Sequence, residues 1–148
     1  MFPLLVKDGP NPAELFQIWL NLPAENKMDA PAFTMFWSDQ IPVISSTDSE
    51  GNVTEISVIT GRLGDVTPPP PPVSSWAARS EGRRRNLASS TQPRASWELP
   101  PVTNPDTERV VYVFDGDHLV LDEERVDAGT GALVEASAVD GSSRRRGR

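Results

Sequence analysis

The clearest alternation of apolar and polar positions lies in residues 108–126, which read ERVVYVFDGDHLVLDEERV. Two apolar runs of strand length flank Asp115-Gly116, a dipeptide that favours a tight turn between paired strands. The stretch therefore predicts a β-hairpin with its turn at Asp115-Gly116. The following residues, VDAGTGALVEAS, predict another turn and another strand.

Two earlier stretches also have strand patterns. Residues 53–64 alternate clearly and end at two glycines, and the polar stretch STDSEGN before them predicts a turn. Residues 14–22, ELFQIWLNL, are rich in aromatic and branched side chains and predict a strand buried on both faces. Pro23 is expected to end it, because proline cannot donate a hydrogen bond to a neighbouring strand.

A proline run separates the two halves of this pattern. The sequence TPPPPPVSSW at residues 67–76 excludes a helix and predicts extended, polyproline-like chain. Such a run can act as a stiff connector or as a ligand for an SH3-type groove. No basic specificity residue lies close by, which favours the connector.

Short strands separated by turn signals predict an all-β fold, either a barrel or a sandwich. The 148 residues suffice for one ordinary domain. A net charge of −7 argues against a nucleic-acid partner. The apolar stretch at the start is too short for a signal peptide, and no run is long enough to cross a membrane. The expectation is a soluble cytoplasmic protein with no membrane partner and no known binding partner.

The positive charge is concentrated in two arginine-rich runs. Seven of the 14 lysines and arginines lie in residues 83–85 and 144–148. Such runs are usually solvated loops or tails, and a nucleic-acid patch is the weaker interpretation.

Few residues in this chain could carry catalytic chemistry. There is no cysteine, and the one histidine, His118, cannot anchor a transition-metal site or a Ser–His–Asp triad alone. We expect it on a strand, at the surface or half-buried. Five nearby acids invite a calcium hypothesis, but their spacing is not that of an EF-hand, so a solvated turn is favoured. These are Asp115, Asp117, Asp122, Glu123 and Glu124. The sequence thus predicts no catalytic, cofactor-binding or metal-binding residue.

Three stretches together resemble the pirin family. LFQIWLNLPAENKMDAPAF at residues 15–33 is similar to a family strand and the loop after it. ISVITGRLG and then PPPPPVSSWAA resemble the family's domain connector, and RVVYVFDGDHLVLD resembles a hairpin of its second barrel. The resemblance implies two tandem cupin β-barrels, the first binding one non-haem iron through three histidines and a glutamate. Family members are associated with quercetin dioxygenase activity and, in animals, with transcriptional co-regulation.

The resemblance also implies that this chain lacks the iron site. The last family ligands lie in a motif ending in methionine and proline, and the chain begins MFPLL. Met1 then corresponds to the methionine after the glutamate ligand, so that all four ligands would lie upstream. No ligand role is transferred to any residue here.

The stretch GRRRNLASSTQP at residues 82–93 stands where the family has the first strand of its second barrel. One base along, a permitted choice of codons for these residues encodes ADVAIWHLRLNP, an apolar strand. We therefore expect the strand to be missing and the reading frame to be disturbed here, with Arg94 standing where an undisturbed frame gives glycine. The basic tail, residues 141–148, is interpreted in the same way.

The sequence thus predicts an incomplete cupin-type (jelly-roll) bicupin. Residues 1–66 would complete the first cupin, 67–75 would be the connector, and 76–140 would be part of the second. The chain itself is expected to be inactive and to bind no cofactor. The alternative is a non-enzymatic β-rich interaction module that uses the proline run and the acidic surface.

Overall fold

The computed structural model describes residues 8–80, 86–100, 102, 107–134 and 142–144. The chain divides into two compact units, residues 1–30 and residues 31–148.

The first unit contains no strand within residues 8–30, so the predicted strand at residues 14–22 is wrong. Its regular structure there is a 3₁₀ helix at Ala24–Asn26, which follows Pro23. Residues 15–20 have an irregular backbone, and Trp19 is 87% exposed. A strand is stable only when a neighbour accepts its backbone hydrogen bonds, and no ladder forms along these residues.

The second unit opens with a 3₁₀ helix at Ser38–Gln40 and continues into a three-stranded antiparallel sheet. Its strand order is β1-β2-β3, and the strands are β1 at Val43–Thr47, β2 at Val53–Thr60 and β3 at Asn86–Thr91. The predicted strand within residues 53–64 is confirmed, as is the turn before it. The polar loop closes through an amide of Gly51 that donates to the carbonyl of Asp48.

β2 supplies the most deeply buried side chains of the described chain. Thr54, Ile56 and Val58 alternate on one face, and each is at most 1% exposed. Ile56 pairs across the sheet with Ile44, and Ser46 with Thr54. Period-two alternation thus places one face of β2 in the core.

β3 corrects the expectation that residues 82–93 lack a strand. Asn86–Thr91 pairs antiparallel with β2, in a register that shifts between Val58 and Thr60. Gln92 adds to this edge, since its side-chain Oε1 accepts from the amide of Val53. The arginines at 83–85 lie outside the described residues, and the disturbed frame remains a prediction.

Between β2 and β3 the proline run adopts no helix or strand, as predicted. A four-residue helix, α1 (Trp76–Arg79), follows it. The Ser75 hydroxyl caps this helix by accepting from the amide of Ala78. The same hydroxyl donates to the Pro72 carbonyl, which ties the end of the proline run to the helix.

The turn from Gln92 to Ala95 connects β3 to β4, at Ser96–Glu98. The Ala95 amide donates to the Gln92 carbonyl at 3.1 Å, and Pro93 occupies the second position of the turn. Arg94, in the third position, has φ +69°. This is the geometry of a type II turn, whose third position favours glycine because an L side chain is strained there.

Four strands form a long ribbon rather than the predicted hairpin: β5 at Arg109–Val113, β6 at His118–Leu121, β7 at Glu124–Asp127 and β8 at Thr130–Val134. Strands β5 and β6 do not pair across Asp115-Gly116; β5 pairs with β8, and β6 pairs with β7. The tight turn is at Asp122-Glu123, where φ is +43° and +74°, as in a type I′ turn.

A short strand β9, at Ser142–Arg144, completes the described structure. It pairs with β4 and β6, so that the second sheet has the order β4-β9-β6-β7, while β5 and β8 form a third sheet. The all-β class is confirmed: the regular structure of the described residues is mostly β-strand with few helical residues, consistent with a cupin-like β fold. Among the residues described, no helix is both long and apolar enough to cross a membrane.

Candidate functional site

His118 is the first residue of β6 and is more buried than the sequence suggested. It is 8% exposed, rather than at the surface or half-buried. Its Nδ1 has no hydrogen-bond partner within the part of the chain that the structure describes. The nearest acidic oxygen is Oδ2 of Asp117, at 3.9 Å, which is beyond hydrogen-bond distance. The imidazole is thus buried and is little exposed to a ligand from solvent.

The acids near His118 do not form a metal cage. Asp127, the cross-strand partner of His118, instead accepts a hydrogen bond from the guanidinium of Arg125. Asp122 and Glu123 form the exposed tip of the ribbon. Across the described ranges, no three histidine, cysteine or acidic side chains come together as a metal-binding group.

The donor set of the chain does not fit a resident non-haem iron. Such iron is held in oxygenases by at least two imidazoles and a carboxylate that converge on one point. The whole sequence contains one histidine and no cysteine. His118 is buried, and the sequence contains no second imidazole to join it. These residues therefore cannot supply the ligands of such an iron centre.

Of the carboxylates in the described residues, Asp48, in the loop between β1 and β2, has the most strongly shifted pKa. Partial loss of water acts to raise its pKa, but hydrogen bonds outweigh this and lower the pKa from 3.8 to about 2. Its oxygens accept from the amides of Ser96, Asn52 and Glu50, and from the Asn52 side chain. All four donors stabilise the ionised form.

Asp48 is a structural clamp rather than a catalytic acid. The bond from the Ser96 amide, at 3.0 Å, joins residues 48 positions apart in the sequence. It fixes the β1–β2 loop to the start of β4, and every other donor belongs to the loop itself. A carboxylate so fully occupied by donors is held as an anion and has little capacity left to exchange protons with a substrate.

An open cleft of about 420 Å³ lies beside this clamp. Its lining includes Ile44 and Ile56, which are paired between β1 and β2. Trp97 and Glu98 of β4 also line the cleft, as does Asp65. The cleft contains no histidine, and the carboxylate of Asp65 is already paired with Arg62 at 2.8 Å.

Neither the clamp nor the cleft was predicted from the sequence. The pattern Asp48-x-Glu50-x-Asn52 is a local signal, because aspartate often accepts amides two or more residues ahead of it in a turn. The bond to Ser96 and the cleft have no such signal, since both depend on how distant segments pack.

The chain is similar to a curated protein. The chain is 30% identical over 128 residues to a protein of Thermoplasma acidophilum named "Putative quercetin 2,3-dioxygenase". The alignment takes in 86% of this chain and 39% of that protein, so the chain spans about two fifths of the length of the curated relative it matches. No family model matches the chain, and no solved structure matches it. The similarity supports a relation to the cupin proteins without selecting the pirin family among them.

Proposed function

We propose that the chain is a pirin-like part of a cupin-type protein and has no oxygenase activity of its own. Two observations support its origin: the pirin-like stretches in the sequence and the similarity to the Thermoplasma protein across 86% of the chain. The absence of oxygenase activity is inferred from the side chains that could bind iron. One buried histidine cannot provide the imidazoles that a non-haem iron centre requires.

We also propose that the activities associated with the pirin family need more than this chain. A quercetin dioxygenase-type reaction or transcriptional co-regulation would be a property of a complete bicupin in which an iron-binding barrel is present. Iron supplies the oxygen chemistry in such a centre, because protein side chains offer no equivalent redox group. The part proposed here would contribute β-structure beside that centre, in the cytoplasm.

The direct test is to load the purified chain with iron(II) under anaerobic conditions and measure bound metal by elemental analysis. We expect well below one iron per chain after desalting, and no turnover of a flavonol above a buffer blank. The matched control is His118→Ala, which removes the one imidazole. The parent and this variant should retain the same low level of metal.

Retention of about one iron per chain, lost in His118→Ala, would contradict the proposal. So would flavonol consumption that depends on added iron and on this histidine. Circular dichroism of both proteins, recorded before loading, establishes that the comparison is made between folded chains.

The alternative, an interaction module built on the proline run, receives less support from the structure. Four of the five consecutive prolines are partly buried rather than fully exposed. The carbonyl of Pro72 also accepts hydrogen bonds from the amide and hydroxyl of Ser75. A polyproline ligand must present its ridges freely to an aromatic groove, and this run is partly engaged by its own chain.

A further inference from the structure

Residues 114–117, which we call the β5–β6 corner, form one of the two connections between the strand pairs of the ribbon. Hydrogen bonds from the other connection hold the backbone on both sides of the exposed stretch. The Val113 carbonyl accepts from the amide of Gly129 at 2.7 Å. The Asp117 carbonyl accepts from the amide of Ala128 at 3.0 Å. The residues between these two bonds are exposed and belong to no strand.

The middle of the corner is the Asp115-Gly116 peptide, which the rest of the described chain does not engage. The carboxyl group of Asp115 has no hydrogen bond or ion pair within the described residues, and the amide of Gly116 donates to none of them. Gly116 has φ +86° and no Cβ, so no side chain crowds the approach to its nitrogen. An unengaged carboxyl group and an unengaged amide are therefore adjacent in an exposed loop.

We propose that Asp115-Gly116 is a modification site, at which aspartate isomerises spontaneously to isoaspartate through a cyclic imide. The Gly116 amide nitrogen attacks Cγ of the protonated Asp115 carboxyl group. The N–Cγ bond forms, a Cγ–O bond breaks, and the amide proton leaves with the hydroxyl group as water. Another water molecule then opens the imide at the main-chain carbonyl, so that the chain continues through the former side chain. The reacting groups are on adjacent residues, which makes the attack intramolecular.

The residue after the aspartate distinguishes this site from its neighbours. The other aspartates of the β5–β8 ribbon each precede a residue with a side chain, which crowds the amide nitrogen; these are Asp117, Asp122 and Asp127. Further Asp–Gly pairs occur at residues 8–9 and 140–141. Residues 140–141 lie outside the described part of the chain. Residues 8–9 precede every described helix and strand, so they report the rate of such a peptide with no sheet around it.

Isomerisation lengthens the main chain of the corner by one carbon atom and leaves a free α-carboxylate. Because hydrogen bonds fix the carbonyls of Val113 and Asp117, the added atom is taken up in the exposed middle of the corner. The class of reaction that consumes this product is methyl transfer to the α-carboxylate of isoaspartate, which allows the imide to form again.

Incubation of the folded full-length chain at neutral pH in water enriched in heavy oxygen tests the proposal. Each opening of the imide adds one heavy oxygen atom, which mass spectrometry of the tryptic peptide of residues 110–125 locates after digestion in ordinary water. We expect the label to accumulate at Asp115 at about the rate seen at Asp8. No label is expected at Asp117 or Asp122.

Asp115→Glu is the matched variant, because it keeps the charge and adds one methylene between the carboxyl group and the backbone. Labelling at this position should fall at least about tenfold, since the carboxyl group leaves its near-attack geometry. Labelling of Asp8 should not change. Absence of label at Asp115 while Asp8 is labelled overturns the proposal, as does label that reaches Asp115 only when urea unfolds the chain. Equal labelling of Asp117 would also contradict it, since no glycine follows that residue.

Discussion

Strand β2 and the LFQIWL segment, which is residues 15–20, both have strand-forming composition but very different structures. β2 pairs on both sides, and its residues Ile56 and Val58 are buried to 1% exposure or less. Ile18 and Trp19 of the LFQIWL segment are 66% and 87% exposed and belong to no strand. Sequence pattern makes a strand possible in both places, and only a paired neighbour makes it stable.

The neighbours of β2 come from both sides of the proline run. β1 lies one loop before β2, and β3 follows the proline run. The Asn86 amide of β3 donates to the Thr60 hydroxyl of β2, which lies 26 positions earlier in the sequence. The stability of the molecule should therefore be concentrated around β2.

Truncation of Ile56 should have the largest effect. Ile56→Ala leaves a cavity under the β1–β2 pair, and we expect the free energy of unfolding to fall by about 2–5 kcal/mol. Ile18→Ala, the same change at an exposed position, should alter it by less than about 0.5 kcal/mol. Urea denaturation of dilute samples measures both. Equal losses in the two variants would contradict the contrast between the regions.

Removal of the Asp48 clamp should have the next effect. Asp48→Ala leaves the amides of Ser96, Asn52 and Glu50 without their acceptor, so the thermal midpoint should fall. Asp48→Asn keeps one acceptor oxygen, so its thermal midpoint should fall less. An exposed acid elsewhere, Glu25→Ala, should show no change.

The clamp also predicts a direction for acid unfolding. The pKa of Asp48 is lower in the folded chain than its ordinary value of 3.8, so folding favours the ionised form. Its contribution to stability is present above pH 3.8 and is lost as the pH falls through about 2. Thermal midpoints measured across this window should fall more steeply for the parent chain than for Asp48→Ala. Parallel curves would show that the carboxylate does not stabilise the fold.

The turn before β4 should gain from a glycine. Arg94 holds φ +69° in a turn position that favours glycine, and Arg94→Gly should stabilise the chain by about 1 kcal/mol. Arg94→Ala removes the same guanidinium while keeping the strain, and should give no such gain. This outcome would also agree with the hypothesis that an undisturbed reading frame encodes glycine there. Equal stabilisation by both substitutions would show that the arginine side chain, and not backbone strain, is the cause.

The smallest effect is expected at the tip of the ribbon. Glu123 has φ +74° in the type I′ turn, where glycine is preferred. Glu123→Gly should raise the free energy of unfolding by about 0.5 kcal/mol, since part of the gain is offset by the greater freedom of glycine in the unfolded chain. Glu123→Ala is the control, and a gain of the same size in that variant would rule out a backbone cause.

Local sequence signals were sufficient for β2 and for the loop before it, because alternation and turn residues act over a few positions. They failed at the ribbon, where Asp115-Gly116 has the stronger turn composition but Asp122-Glu123 makes the turn. Four residues, 114–117, separate β5 from β6, whereas two residues, 128–129, separate β7 from β8. This unequal spacing sets the register of the ribbon, and it depends on the pairing of β5 with β8.

The candidate site was predictable only in part. The scarcity of imidazole is a property of composition and could be read directly from the sequence. The burial of His118 and the bond from Ser96 to Asp48 could not, because each depends on strands that meet only in the folded chain. The strand predicted at residues 14–22 was wrong for the same reason, because an apolar pattern does not by itself supply a neighbouring strand.

Native-state hydrogen exchange on a dilute, monomeric sample tests most directly whether strand-forming sequence is stable only where the chain supplies a paired neighbour. We expect the amides of Ile56 and Val58 to exchange only on global unfolding, whereas those of the LFQIWL segment exchange nearly as fast as in an unstructured peptide. Protection of that segment in the monomer, to the same free energy as β2, would contradict this claim.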